Sequence, residues 1–74
     1  MPHINLSFHQ GPEETLDPEA LSQALTEIVT KKLGVESQYV SITIQPVAKE
    51  DWCVLVIDKY INQSGYQVVK PVTY

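Results

Sequence analysis

DPEALSQALTEIVTKKLG, residues 17 to 34, is the stretch whose reading decides the fold. Asp17 carries the side chain of an N-cap, Pro18 suits the first helical position, and Glu19 sets negative charge against the helix dipole. Leu21, Ala24, Leu25, Ile28, Val29 and Leu33 recur at helical spacing and make one apolar stripe. Lys31 and Lys32 fall in the last turn, Glu27 is spaced to pair with Lys31, and Gly34 is placed for a left-handed stop. The spacing predicts a helix from about 18 to 33.

Outward from the helix, the period changes from helical to alternating on both sides. Pro2, Ile4, Leu6 and Phe8 fall on one face and His3, Asn5, Ser7 and His9 on the other, which predicts a strand with one buried face, ended by Gly11 and Pro12. A proline is tolerated at its head because the first residue of a strand need not donate to the ladder. From about 39 to 45, Val40, Ile42 and Ile44 alternate with Tyr39, Ser41, Thr43 and Gln45, and Pro46 closes the segment. Strand, helix and strand in this order predict an α/β fold built on one βαβ unit, with parallel strands and a right-handed crossover. One helix covers one face of two strands, so an open edge and a second face remain for a partner.

Past Pro46, Lys49, Glu50 and Asp51 precede Trp52, and Cys53 to Ile57 are continuously apolar. Valine and isoleucine favour a strand while the acidic lead-in favours a short helix, and periodicity alone does not choose. The remainder, 58 to 74, is rich in Tyr, Asn, Gln and Gly and reads as a mostly irregular arm lying over a partner.

The 74 residues form one domain, 1–74. Ordering such a chain costs on the order of 100 kcal/mol of conformational entropy, and so small a core offsets little more than that. Cys53 is the only cysteine, so no internal disulfide can form, and no Cys or His cluster has the spacing of a metal site. Self-association is the stabilising device that remains.

The net charge is −4 and all five basic residues are lysines, Lys31, Lys32, Lys49, Lys59 and Lys70. That balance argues against nucleic acid, whose recognition needs a basic face and usually arginine. No segment approaches the roughly 20 apolar residues that span a bilayer, and no basic stretch leads into an apolar run. The expectation is a cytoplasmic protein without membrane contact.

Met1-Pro2-His3-Ile4 at the head of a βαβ unit, Leu16-Asp17 before the helix, Val40-Ser41-Ile42 in the second strand, Glu50-Asp51-Trp52 after it and Lys70-Pro71 near the end follow one another as in a known family. The pattern resembles the 4-oxalocrotonate tautomerase superfamily, and within it the PptA-like branch of short tautomerases. The resemblance covers most of the chain. It implies a short second helix after Pro46 and a homodimer whose two halves form one four-stranded sheet. It also implies a cofactor-independent reaction on a small molecule, an isomerase interconverting keto and enol groups.

In such a reaction the free amine of Pro2, exposed by removal of Met1, would act as base and then acid. Moving a proton from an enol hydroxyl to carbon needs a group that is neutral near pH 7 and can return the proton. A terminal α-amino group titrates at about 7.7 to 8.0 in model peptides. Proline's secondary amine is more basic, and an apolar pocket disfavours its charged form. Taken by itself, a proline at this position is an ordinary strand opener.

The resemblance assigns Trp52 to an aromatic pocket wall that excludes water and stacks on an aryl group, although a lone tryptophan also serves as a core anchor. Many family members hold a dicarboxylate with two arginines, and those places are Pro12 and Ser41 here. This departure argues against dicarboxylates and leaves a monocarboxylate, of 2-hydroxy-alkenoic or arylenolpyruvic type, with Ser41 on the substrate side. Lys49 is the lysine nearest Trp52 in sequence and a candidate for the single charge, against the ordinary reading of a solvated lysine. His9 falls where the resemblance puts a pocket residue donated by a neighbouring subunit, against the more ordinary reading of a strand-end cap. Cys53, within an apolar run and with no base spaced beside it, reads as an inert buried thiol. Two alternatives stay open: a hydratase or dehalogenase using the same base, and a non-catalytic dimer that binds a small molecule or a protein.

Overall fold

The computed structural model describes residues 1–9 and 16–74 of the chain. The predicted end of the first strand at Gly11 and Pro12 lies outside these residues. Two strands, β1 (His3–Phe8) and β2 (Ser41–Pro46), flank a helix, α1 (Pro18–Leu33), and a second helix, α2 (Cys53–Ile61), follows. Single 3₁₀ turns at Ser37–Tyr39 and Lys49–Asp51 lead into β2 and α2.

Each end of α1 is closed by the residue chemistry its sequence carries. The Asp17 carboxylate accepts from the Ala20 N–H at 3.1 Å, which satisfies one of the donors that a helix start leaves unpaired. At the other end Gly34 takes φ 67° and ψ 34°, a left-handed conformation that costs glycine nothing, and its N–H donates to the Thr30 carbonyl at 3.0 Å. Leu21, Leu25 and Val29 are half-buried, while Ile28 and Leu33 remain 58% and 62% exposed. The buried stripe is therefore narrower than the apolar stripe of the sequence, and part of it faces outward.

β1 and β2 pair in parallel, with His3 opposite Ser41 and Phe8 opposite Pro46. Bonds from the Ser41 N–H to the Pro2 carbonyl at 3.2 Å and from the Val47 N–H to the Phe8 carbonyl at 2.8 Å close the two ends of the ladder. In a parallel ladder alternate residues donate across, so Ile42, Ile44 and Pro46, out of phase with Ser41 and Val47, face the outer edge with their backbone nitrogens. Pro46 therefore withholds its missing donor from the outer edge and not from β1, which lets it stand as the last residue of the strand, the closing position expected from sequence. Tyr39 is a further departure from the sequence reading, because it closes the 3₁₀ turn and leaves the strand to begin at Ser41.

The two sheet faces differ sharply. Ile4, Leu6, Phe8, Ile42 and Ile44 are half-buried on one. The other carries a hydrogen-bonded polar row: His3 Nδ1 with Ser41 Oγ at 2.7 Å, Thr43 Oγ1 to Asn5 Oδ1 at 2.7 Å, and Asn5, Ser7 and Gln45 joined at 3.3 to 3.4 Å. Pairing across strands satisfies these groups and keeps that face wet.

α2 resolves the ambiguity after Pro46 in favour of a helix. It is a π-helix, with the Asn62 N–H reaching back five residues to the Ile57 carbonyl at 2.9 Å. Its half-buried positions, together with the residue before it, are Trp52, Val56, Ile57, Tyr60 and Ile61, spaced by the wider turn. The arm expected to be irregular from residue 58 is helical as far as Ile61, and only the chain beyond Asn62 has no regular structure.

Little of this is sealed from water. Among the described residues only Val47, 4% exposed, is fully buried. The accessible surface is 6111 Å², whereas a compact monomer of this mass exposes about 4,600 Å². The radius of gyration, 13.9 Å, likewise exceeds the roughly 11 Å of a compact chain of this length. A two-stranded sheet, which is all that the described residues form, is marginal on its own.

Candidate active site

A cavity of about 520 Å³ lies past the C-terminal ends of the strands, lined by His9, Lys49, Trp52, Cys53, Ile57 and Tyr74. That volume falls in the range that takes a small organic ligand. Three of the residues singled out from sequence, His9, Lys49 and Trp52, meet here although they come from three separate segments. His9 follows β1, Lys49 opens the 3₁₀ turn, and Trp52 stands at the head of α2.

His9 does two things at once. Its Nδ1 lies 3.4 Å from the Val47 carbonyl, tying the end of β1 to the residue after β2. A carbonyl only accepts, so Nδ1 is the donor in this contact and Nε2 is the nitrogen left to the cavity. The strand-capping and pocket-lining readings of this histidine are thus compatible.

Trp52 and Ile57 present themselves to the cavity from one side of the α2 region, and Cys53 adds its thiol. Cys53 is exposed and lines the cavity, so the buried position suggested by its apolar neighbours does not hold. The Trp52 indole N–H donates to the Tyr74 hydroxyl at 2.8 Å, which brings the last residue of the chain to the cavity wall. Sequence reasoning missed Tyr74 and Ile57. Neither had a signal: Ile57 stands five residues after Trp52, off the face that an α-helix would share with it, and Tyr74 lies 22 residues from its partner.

Pro2 and Ser41 lie elsewhere. They meet at the opposite end of the sheet, where Ser41 fixes the Pro2 carbonyl through its N–H and holds His3 through its hydroxyl. Pro2 and His9 are seven steps apart along the chain, about 23 Å at the rise of a strand. Within one chain the two groups of candidate residues do not touch. Pro12, in the place of the family's other arginine, lies outside the described residues. The described residues hold no helix long and apolar enough to cross a membrane.

No family model matches the chain. A probable tautomerase of Xylella fastidiosa (strain 9a5c) is 30% identical over 70 residues, which cover 95% of this chain and 84% of that protein. The chain belongs to the tautomerase family. The alignment is nearly full length, so it takes in both the βαβ unit and the cavity-forming segments after it. The small α/β architecture with a second short helix is the one the family resemblance implied.

Proposed function

We propose that this tautomerase-family chain is a cytoplasmic keto-enol tautomerase, acting on 2-hydroxy-alkenoic or arylenolpyruvic monocarboxylates as a homodimer. The observation that carries this reading is the cavity that joins Trp52, His9 and Lys49 in a member of this family. Its walls suit a flat apolar group beside a single negative charge. Trp52 and Ile57 supply the apolar side, and Lys49 supplies a cation.

The base is Pro2, and the two-fold symmetry of a dimer accounts for its distance from the cavity. Pairing two such sheets edge to edge about a two-fold axis runs their strands antiparallel, so the head of β1 in one copy meets the tail of β1 in the other. Each cavity would then receive Pro2 of the partner subunit, and Ser41 would enter with it. The four-stranded sheet that results also removes one open edge from each copy.

In the reaction, the Pro2 lone pair takes the enol hydroxyl proton as the C–O bond becomes a carbonyl and the C=C electrons move to carbon. The prolinium then returns that proton to the same carbon, so nothing is consumed. Trp52 excludes water from the exchange.

Pro2→Ala tests this directly. With fold and assembly unchanged, kcat/KM for an arylenolpyruvate should fall by about 10²-fold or more, the usual contribution of a positioned acid-base group. Intact mass should show a chain one methionine lighter than the gene product. Undiminished turnover in the variant, or a protein that keeps Met1 and still turns over, removes Pro2 from the mechanism. Retained ligand binding without turnover in the parent would instead favour a binding module.

A further inference from the structure

The bond between Trp52 and Tyr74 has a fixed polarity. An indole Nε1–H can only donate, so in the 2.8 Å contact the phenol oxygen must be the acceptor. The phenol's own proton is therefore not used in this bond. Accepting from the indole also polarises the O–H and makes it a better donor. Both rings line the same cavity, and Lys49 lines it with them.

We propose that Tyr74 is a specificity residue, whose hydroxyl donates to the carboxylate of the bound ligand while the Lys49 ammonium supplies the opposing charge. This deepens the tautomerase reading and rests on it for the identity of the substrate, but the binding itself does not require turnover. It answers the chemical question that the missing arginines raise. A guanidinium offers a carboxylate two donors and a charge in one side chain; here the charge and an extra donor come from Lys49 and Tyr74 separately. The same tyrosine holds the indole edge, so it also orients the ring on which an aryl group stacks. Carboxylate and aryl recognition are coupled through one hydrogen bond.

Trp52 is the only tryptophan of the chain, so tryptophan emission, excited selectively over the four tyrosines, reports this cavity. The test titrates 3-phenylpropanoate and its neutral amide, 3-phenylpropanamide, into the parent, Tyr74→Phe and Pro2→Ala proteins. Phenylalanine keeps the ring and removes only the hydroxyl. Tyr74→Phe should bind the carboxylate about tenfold more weakly, the value of one hydrogen bond to a charged group, and the amide with little change. Trp52 emission should also shift in the unliganded variant, because its N–H loses its acceptor.

Equal affinity of parent and Tyr74→Phe for the carboxylate, an equal loss for carboxylate and amide, or no binding by the parent at millimolar probe would each overturn the proposal. Pro2→Ala separates the two readings. If it retains turnover while Tyr74→Phe weakens the carboxylate selectively, the tautomerase mechanism falls and this subsite stands. If it abolishes turnover while Tyr74→Phe binds normally, the reverse holds.

Discussion

Diluting the protein should lower its melting temperature, and the structure sets the size of the effect. The chain exposes 6111 Å², roughly 1,500 Å² more than a compact monomer of its mass. If a two-fold partner covers that excess on both copies, the interface totals about 3,000 Å², within the class of obligate homodimers. Such dimers have no stable folded monomer, so dissociation and unfolding are one event. Two chains of 74 residues unfold with an enthalpy of about 100 kcal/mol near 60 °C. For a dimer that unfolds to two free chains, the melting temperature then rises by about 5 °C for each tenfold rise in concentration. Differential scanning calorimetry over a hundredfold range, with sedimentation velocity on the same samples, measures both quantities. A melting temperature that ignores concentration, in a species sedimenting as one chain, would refute the reasoning. So would a six-chain species, because the hydrogen-bonded row of His3, Asn5, Ser41 and Thr43 is argued to keep one sheet face in water.

Two further outcomes follow from single residues. Asp17→Ala removes the acceptor of the Ala20 N–H and should cost about 1 kcal/mol per chain; in a dimer the melting temperature should drop by about 6 °C at fixed concentration, with kcat/KM unchanged, as thermal melts and a parallel assay would show. Because only the neutral Pro2 amine has a lone pair, kcat/KM should fall tenfold per pH unit below that amine's pKa and level off above it, and a flat profile from about pH 5 to about pH 9 would exclude the amine as the base.

The elements of this fold were legible because their signals are local. Asp17, Pro18 and Gly34 mark the ends of α1 by backbone chemistry that needs no tertiary contact, and the alternation at Ile4, Leu6, Ile42 and Ile44 follows from the period of a strand. The misreadings have equally local causes. Tyr39 continues the alternating pattern, yet its N–H is drawn back to the Glu36 carbonyl at 3.0 Å in a 3₁₀ turn. Cys53 to Ile57 could not be assigned by pattern because a short apolar run suits a strand or a helix; the continuation to Tyr60 and Ile61 across Asp58 and Lys59 carried the helical period.

By itself the sequence determined the order of strand, helix and strand, the helix caps, the polar and apolar sheet faces, and the family, because each is written in residue type and spacing along a few turns. Only the tertiary structure decided that His9, Lys49 and Trp52 share a cavity, that Tyr74 closes on Trp52, and that Pro2 and Ser41 lie at the far end of the sheet. These are distances between segments far apart in the chain, and parallel strands of fixed rise set them, whatever the residues' chemistry suggests.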